Sequence, residues 1–167
     1  RIRARDGSDL PLYLTRPVDD AAAPKPERRA AVVYVHGGPA ARNTLEWNHD
    51  AVPQFLASRG YVVIEPEFRG SVGYGSRHAR AGDGQWGLAM QGDLHDALRW
   101  AVEQGFVDER RVCIMGASYG GYAALMGPAT HPADYRCAVA WVAPTDLARL
   151  LNDAPDTWRM SRLVRQT

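Results

Sequence analysis

The sequence has 167 residues, 46% of them hydrophobic and 23% charged. These are the proportions of an ordinary globular chain and exclude disorder, collagen-like repeats and coiled coil. Twenty Lys plus Arg against 19 Asp plus Glu leave a net charge of +1, which gives no electrostatic footprint for nucleic acid or for an anionic membrane. The length suits one domain, large enough to bury about 70% of the surface that its unfolded chain exposes.

The chain opens on Arg1 in mid-pattern. Residue 1 is therefore not expected to be the natural start, and the lack of a signal peptide carries no information. Asp6-Gly7 is a hairpin-turn dipeptide between Ile2 and the stretch Leu10 to Leu14, and predicts an antiparallel edge pair. The Ala/Pro/Asp stretch Asp19 to Pro26 reads as a connector. Ala30 to Val35 is a continuous apolar run, the mark of a buried strand, and stops abruptly at His36-Gly37-Gly38-Pro39, where the backbone must turn. Asp50 is placed to cap a helix with Pro53 in its first turn and Gly60 as its stop, and a strand follows from Tyr61 to Ile64.

Arg69 to Gly75 is a Gly-rich loop. Asp93 to Gln104 has Leu94, Ala97, Leu98, Ala101 and Val102 at helical spacing, with Gly105 as terminator. A strand over Arg111 to Met115, a helix over Tyr119 to Met126 and a strand over Cys137 to Ala143 complete the pattern. Strands alternating with helices in this way predict an α/β fold, a mainly parallel sheet with helices on both faces. The longest uncharged apolar stretches, Ala30 to Val35 and Cys137 to Pro144, fall well short of the roughly 20 residues of a membrane span. The two cysteines, Cys113 and Cys137, lie in apolar strand-like runs and read as free buried thiols, which favours a reducing, cytoplasmic compartment.

The sharpest chemical feature is Gly116-Ala117-Ser118-Tyr119-Gly120, a G-x-S-x-G between a predicted strand and a predicted helix, the setting of a nucleophile elbow. Glycines flank such a serine because side chains there would collide with the neighbouring strand and helix. Ser118 is the candidate nucleophile. The Tyr119 N–H, at the start of the helix, is one candidate donor to a developing oxyanion. The His36-Gly37-Gly38-Pro39 turn occupies the place of the loop that supplies the second donor, so Gly37 and Gly38 complete the candidate oxyanion hole.

At these residues the chain resembles the catalytic domain of the prolyl oligopeptidase family of serine peptidases, in its acylaminoacyl-peptidase and dipeptidyl-peptidase branches. The matching stretches are Asp6-Gly7 with Leu10 to Pro17, Val32 to Pro39, Phe68 to Gly75, Gly92 to Asp96 and Arg111 to Ala124, which together run along nearly the whole chain. The resemblance implies an α/β-hydrolase fold and a peptidase that acts on short peptides through an acyl-enzyme on Ser118, without metal or organic cofactor. Some members use a tyrosine hydroxyl where this chain has His36. The histidine branch implies instead a backbone donor near Gly37 or Gly38. Members carry a β-propeller before the hydrolase domain, and this chain contains none.

The chain departs from the family at its C-terminal end. The order in α/β-hydrolases is Ser, then Asp or Glu, then His, and the family places acid and histidine further along than the 49 residues that follow Ser118. Residues 1–167 are thus expected to form a partial hydrolase domain, its C-terminal part missing and its acid and histidine beyond Thr167. His131 follows the predicted helix and is carried about 15 Å from Ser118. Asp146 follows the next strand, where a minority of hydrolases place their acid; its alternative is a helix cap before Leu147.

Other features weigh toward structure. Gly82 to Gly87 fits G-x-G-x-x-G but follows a polar stretch, not a strand, so a dinucleotide site is not expected. Asp93 and Asp96 read as first-turn charges complementing a helix dipole. His36, His49, His78 and His95 lack metal-ligand spacing. Arg69 and Tyr74 stand at the ligand-binding edge of the sheet, with loop packing the equal alternative. Two rivals to the peptidase remain: a carboxylic-ester hydrolase, which would use the same elbow, and a non-catalytic fragment of the same fold.

Overall fold

The computed structural model describes residues 1–18, 28–44 and 51–153. The expected connector and the Asp50 cap lie outside them. A small antiparallel hairpin, β1 (Ile2–Arg3) and β2 (Asp9–Leu10), turns through Gly7 at φ 80°. The chain then enters the main sheet as β3 (Leu12–Thr15) and continues through β4 (Arg29–Val35), α1 (Ala51–Ser58), β5 (Val62–Pro66), α2 (Ser76–Arg80), α3 (Ala89–Glu103), β6 (Val107–Ala117), α4 (Tyr119–Thr130), β7 (Cys137–Trp141) and α5 (Leu147–Asp153).

The sheet has the order β3-β5-β4-β6-β7, with β3 antiparallel to β5 and every other pair parallel. The step from β4 to β5 runs in one direction and the step from β5 to β6 in the other. Right-handed crossovers therefore send α1 to one face and α3 to the opposite one. The step from β6 to β7 keeps the second direction, so α4 lies beside α3, with which it packs. The mixed α/β architecture expected from the alternating pattern is the one observed. It also creates a switch point where β4 and β6 end side by side, the place where open α/β sheets gather their functional loops.

The central strands are apolar because both faces are covered. Val33, Val62, Val63, Ile64, Val112 and Ile114 are almost wholly enclosed, and at roughly 1.5–3 kcal/mol per fully buried side chain they fix the sheet that holds the loops. β7 differs, with no buried residue, and Val139, Trp141 and Val142 are exposed.

Two expectations need correction. Cys113 and Cys137 are not free thiols: they are register partners on β6 and β7 and are joined by a disulfide, their Cα atoms 4.7 Å apart. Strand register is a long-range property that single-strand patterning does not contain. Joined in a disulfide, the two cysteines give no support for a reducing compartment. No helix among the described residues is long and apolar enough to cross a membrane.

The second correction concerns α3, which begins at Ala89 and not at Asp93, so neither Asp93 nor Asp96 lies in its first turn. Both are used in tertiary pairing. Asp93 is buried and receives the Arg69 N–H at 2.8 Å, Nε at 2.9 Å and Nη2 at 2.6 Å. Asp96 receives the Arg5 N–H at 2.8 Å and its Nε at 2.9 Å. Ser76–Arg80, the polar stretch before the Gly82–Gly87 run, forms no strand, as expected, and has too few residues to display the apolar stripe of the short helix α2 that it adopts.

Candidate active site

β6 ends at Ala117 and α4 begins at Tyr119, so one residue, Ser118, makes the whole turn. It sits at φ 57° and ψ −121°, and is one of two non-glycine residues with positive φ among the described residues. Such a conformation costs on the order of 1–3 kcal/mol and persists only where the surroundings over-determine it. Here the glycines show how. A Cβ on Gly116 would lie 2.5 Å from the Val35 carbonyl oxygen and 2.6 Å from the Gly120 carbonyl carbon. One on Gly120 would collide with the Val35 carbonyl and lie 3.1 Å from the His36 oxygen, and one on Gly121 would meet the Trp141 oxygen at 2.9 Å. Bare backbone lets β4, β6, β7 and α4 converge on the turn. Ser118 is left exposed at its apex, anchored by its N–H to the Trp141 carbonyl at 3.1 Å.

The His36–Pro39 turn abuts this elbow. A Cβ on Gly37 would stand 3.1 Å from the Ala117 oxygen and 3.5 Å from the Ser118 Cβ. Gly38 has φ 123°, a region open to glycine, and precedes Pro39 through a cis peptide bond. His36 is buried, stacked on Phe68 with ring centroids 4.4 Å apart. Its Nδ1 lies 2.7 Å from the Gly37 carbonyl oxygen and its Nε2 lies 2.9 Å from Ser71 Oγ. A carbonyl only accepts, so Nδ1 carries the hydrogen and Nε2 receives the Ser71 hydroxyl. Burial pushes the imidazole down to about 4, and it is neutral at pH 7.

The Gly37 carbonyl and the Gly38 N–H belong to one planar trans peptide and point in opposite directions. By holding the carbonyl on one side, His36 turns the Gly38 N–H to the other. The Tyr119 N–H, first in α4, has no acceptor within its own helix. Tyr119 itself is fully enclosed, its ring against Phe68 at 5.0 Å and Trp86 at 4.7 Å. The start of α4 is thereby fixed relative to the His36 turn through one shared aromatic cluster.

The other residues singled out by sequence fall into structural places. Arg69 is held by Asp93 and by Asp6, the latter at 2.8 Å, and serves loop packing. Tyr74 meets the Tyr13 hydroxyl at 3.4 Å. Asp146 Oδ1 accepts the Arg149 N–H at 2.9 Å and caps α5. His131 ends α4, a helix of 12 residues, which puts it about 18 Å along the axis from Ser118. It stacks on His95, ring centroids 4.1 Å apart, beside the His95–Asp134 pair at 2.7 Å. Among the described residues the imidazole–carboxyl pairs are His95–Asp134 and His36–Glu67, whose imidazoles bond elsewhere than to Ser118, and no three His, Cys, Asp or Glu side chains are grouped so as to hold a metal ion. Gly82, in the dinucleotide-like run, is explained by close approach: a Cβ there would lie 2.6 Å from the Gly70 Cα.

Sequence reasoning missed the polar layer behind the turn, formed by Glu67, Ser71 and Asn43 with His36. The only trace in sequence is Glu65-Pro66-Glu67, two acids at strand spacing at the end of an apolar strand.

The chain is similar to known proteins along most of its length. The model of the prolyl oligopeptidase family matches residues 47–164. The chain is 42% identical over 164 residues to dipeptidyl aminopeptidase BIII of Pseudoxanthomonas mexicana, covering 94% of this chain and 23% of that protein. It is 35% identical over 174 residues to dipeptidyl peptidase family member 6 of Caenorhabditis elegans, with the same coverage of 94% and 23%. Among solved structures, a puromycin-hydrolyzing peptidase of Mycobacterium tuberculosis superposes with a TM-score of 0.88 at 28% identity, over 99% of this chain and 25% of that one. The chain thus spans about a quarter of the length of these relatives.

Proposed function

The chain belongs to the prolyl oligopeptidase family, and from that premise we propose that it carries the nucleophile and oxyanion hole of a serine-type peptidase acting on short peptides. Ser118 attacks the scissile carbonyl, and its Oγ forms the new bond to carbon as the carbonyl electrons move to oxygen. The N–H groups of Tyr119 and Gly38 receive that oxyanion. Collapse expels the amine and leaves an acyl-enzyme, which water then hydrolyses. The general base that takes the Ser118 proton, and the acid that orients it, belong to chain outside the described residues. In this reading residues 1–167 are part of a hydrolase domain.

The observation that carries this reading is the positive φ of Ser118, enforced by Gly116 and Gly120 against the strand that ends in Val35. A mere small-residue turn has no reason to hold a serine in that conformation. The names of the relatives point to dipeptidyl amides and puromycin as first substrates. The test is turnover by the full-length protein of a dipeptidyl arylamide, puromycin and a simple aryl ester. Cleavage of the amides supports the peptidase, whereas cleavage of the ester alone would assign a carboxylic-ester hydrolase. The expectation of a cytoplasmic location has lost its support with the disulfide.

A further inference from the structure

Directly behind the His36 turn lies an acid that the proposed chemistry does not use. Glu67 follows β5 and its side chain is completely enclosed. Oε1 accepts the Asn43 N–H at 2.8 Å. Among the described residues Oε2 has no hydrogen-bond partner within 3.5 Å, and it stands 4.0 Å from His36 Nε2. A bare carboxylate oxygen enclosed without a donor is among the costliest groups a fold can hold, so the carboxyl keeps its proton unless the surroundings supply one. Among the described residues the charged and titratable groups facing it are His36 just after β4, Arg42 from the loop beyond and Tyr74 from the glycine-rich loop, with the His78 ring of α2 on the Glu67 main-chain carbonyl at 3.0 Å. Arg42, Tyr74 and Asn43 favour the ionised form, but burial outweighs them and pushes the acid up to about 7.

The neighbouring imidazole gives this proton a consequence. His36 Nε2 is bare and directed at Ser71, a state compatible with a neutral carboxyl 4.0 Å away. An ionised carboxyl there opposes the Nε2 lone pair and favours a hydrogen on that nitrogen. Burial prevents the imidazole from gaining a second proton near neutrality, so the hydrogen at Nε2 comes at the expense of the one at Nδ1. Ser71 then accepts instead of donating, one proton in all leaves to solvent, and the bond from Nδ1 to the Gly37 carbonyl is gone.

We propose that Glu67 is a positioning residue for the oxyanion turn: its protonated carboxyl selects the His36 tautomer that clamps the Gly37 carbonyl and so aims the Gly38 N–H, and its ionisation releases that clamp. The inference rests on the acyl-transfer reading of Ser118 and extends it to a pH-sensitive support.

The test uses the full-length protein and a dipeptidyl arylamide, with kcat and KM measured from pH 6 to 9.5 for wild type and Glu67→Gln. Labelling of Ser118 by a fluorophosphonate is followed in parallel. Glutamine has the same shape, still accepts from Asn43 and cannot ionise. The ratio of variant to wild-type kcat is expected to rise about tenfold or more between pH 6 and 9, with KM unmoved, because an oxyanion donor is worth about 10²–10³ in kcat. His36→Gln, which has no tautomers to exchange, should also lack the alkaline fall of the wild type. A constant Glu67→Gln ratio with Ser118 still labelled overturns the positioning role. So does a wild-type kcat that holds level to pH 9, whatever the variants do. Absence of both labelling and turnover in the wild type overturns instead the acyl-transfer reading beneath it.

Discussion

Replacing Gly120 by alanine adds a single methyl group where the structure has no room. Its Cβ would overlap the Val35 carbonyl oxygen and stand 2.9 Å from the Val35 carbon and 3.1 Å from the His36 oxygen. All three are backbone atoms, two at the end of β4 and one in the turn that follows it, so no side chain can swing aside. Ordinary carbon contacts begin near 3.5 Å, and relief therefore requires the start of α4 to retreat from β4 by on the order of 1 Å. Overpacking of this kind costs about 1–3 kcal/mol. With rigid backbone on the receiving side we place Gly120→Ala at about 3 kcal/mol, a large part of the roughly 5–15 kcal/mol that holds a domain together. Gly120 is not among the positive-φ residues, so the cost is steric and no backbone-conformation penalty adds to it. The same retreat separates Ser118 from the Gly37–Gly38 turn, and a displacement of about 1 Å at a reacting centre costs about 10²-fold in rate.

The assay is urea denaturation of the full-length protein together with the rate of fluorophosphonate labelling. Gly92→Ala is the control: it lies inside α3, where the added Cβ would meet nothing closer than 3.9 Å. That change should stabilise by about 0.5–1 kcal/mol. Equal midpoints and labelling rates for Gly120→Ala and wild type would refute the close approach of β4 to α4 and the elbow built upon it.

Two further outcomes follow from the corrected features. Reduction of the Cys113–Cys137 bond, which closes a loop of 24 residues, should destabilise by about 3 kcal/mol. Alkylation after mild dithiothreitol and a fall in the unfolding midpoint check it, and thiols that alkylate before any reduction would contradict the bond. Asp93→Asn should cost about 3 kcal/mol, at the lower end for a broken buried pair because Asp6 still faces Arg69. Denaturant titration decides, since a first-turn charge on a helix would have been worth only about 0.3–1 kcal/mol.

The fold was legible in sequence where one element states its own environment. The run from Ala30 to Val35 is apolar because β4 is covered on both faces, and the positions from Leu94 to Val102 show the one stripe that α3 buries. Ser118 was legible because its turn needs glycines at fixed offsets, and Gly37 and Gly38 because no strand or helix continues through them. What sequence did not show is pairing at a distance. Asp93 looked like a helix start until Arg69, 24 positions earlier, was found against it. Cys113 and Cys137 became partners only once β6 and β7 were set in register. Glu67 carried no local signal that its carboxyl would be enclosed against His36, whose ring reaches it from the end of another strand.

The central claim is that Ser118 is a nucleophile held at the apex of a strained elbow. It is tested most directly by treating the full-length protein with a fluorophosphonate, reducing and digesting it with trypsin, and locating the adduct by mass spectrometry. The account predicts one modified peptide, Val112 to Arg136, with the label on Ser118, and no label in a folded Ser118→Ala variant. A label on another residue, or one that persists in Ser118→Ala, would contradict it.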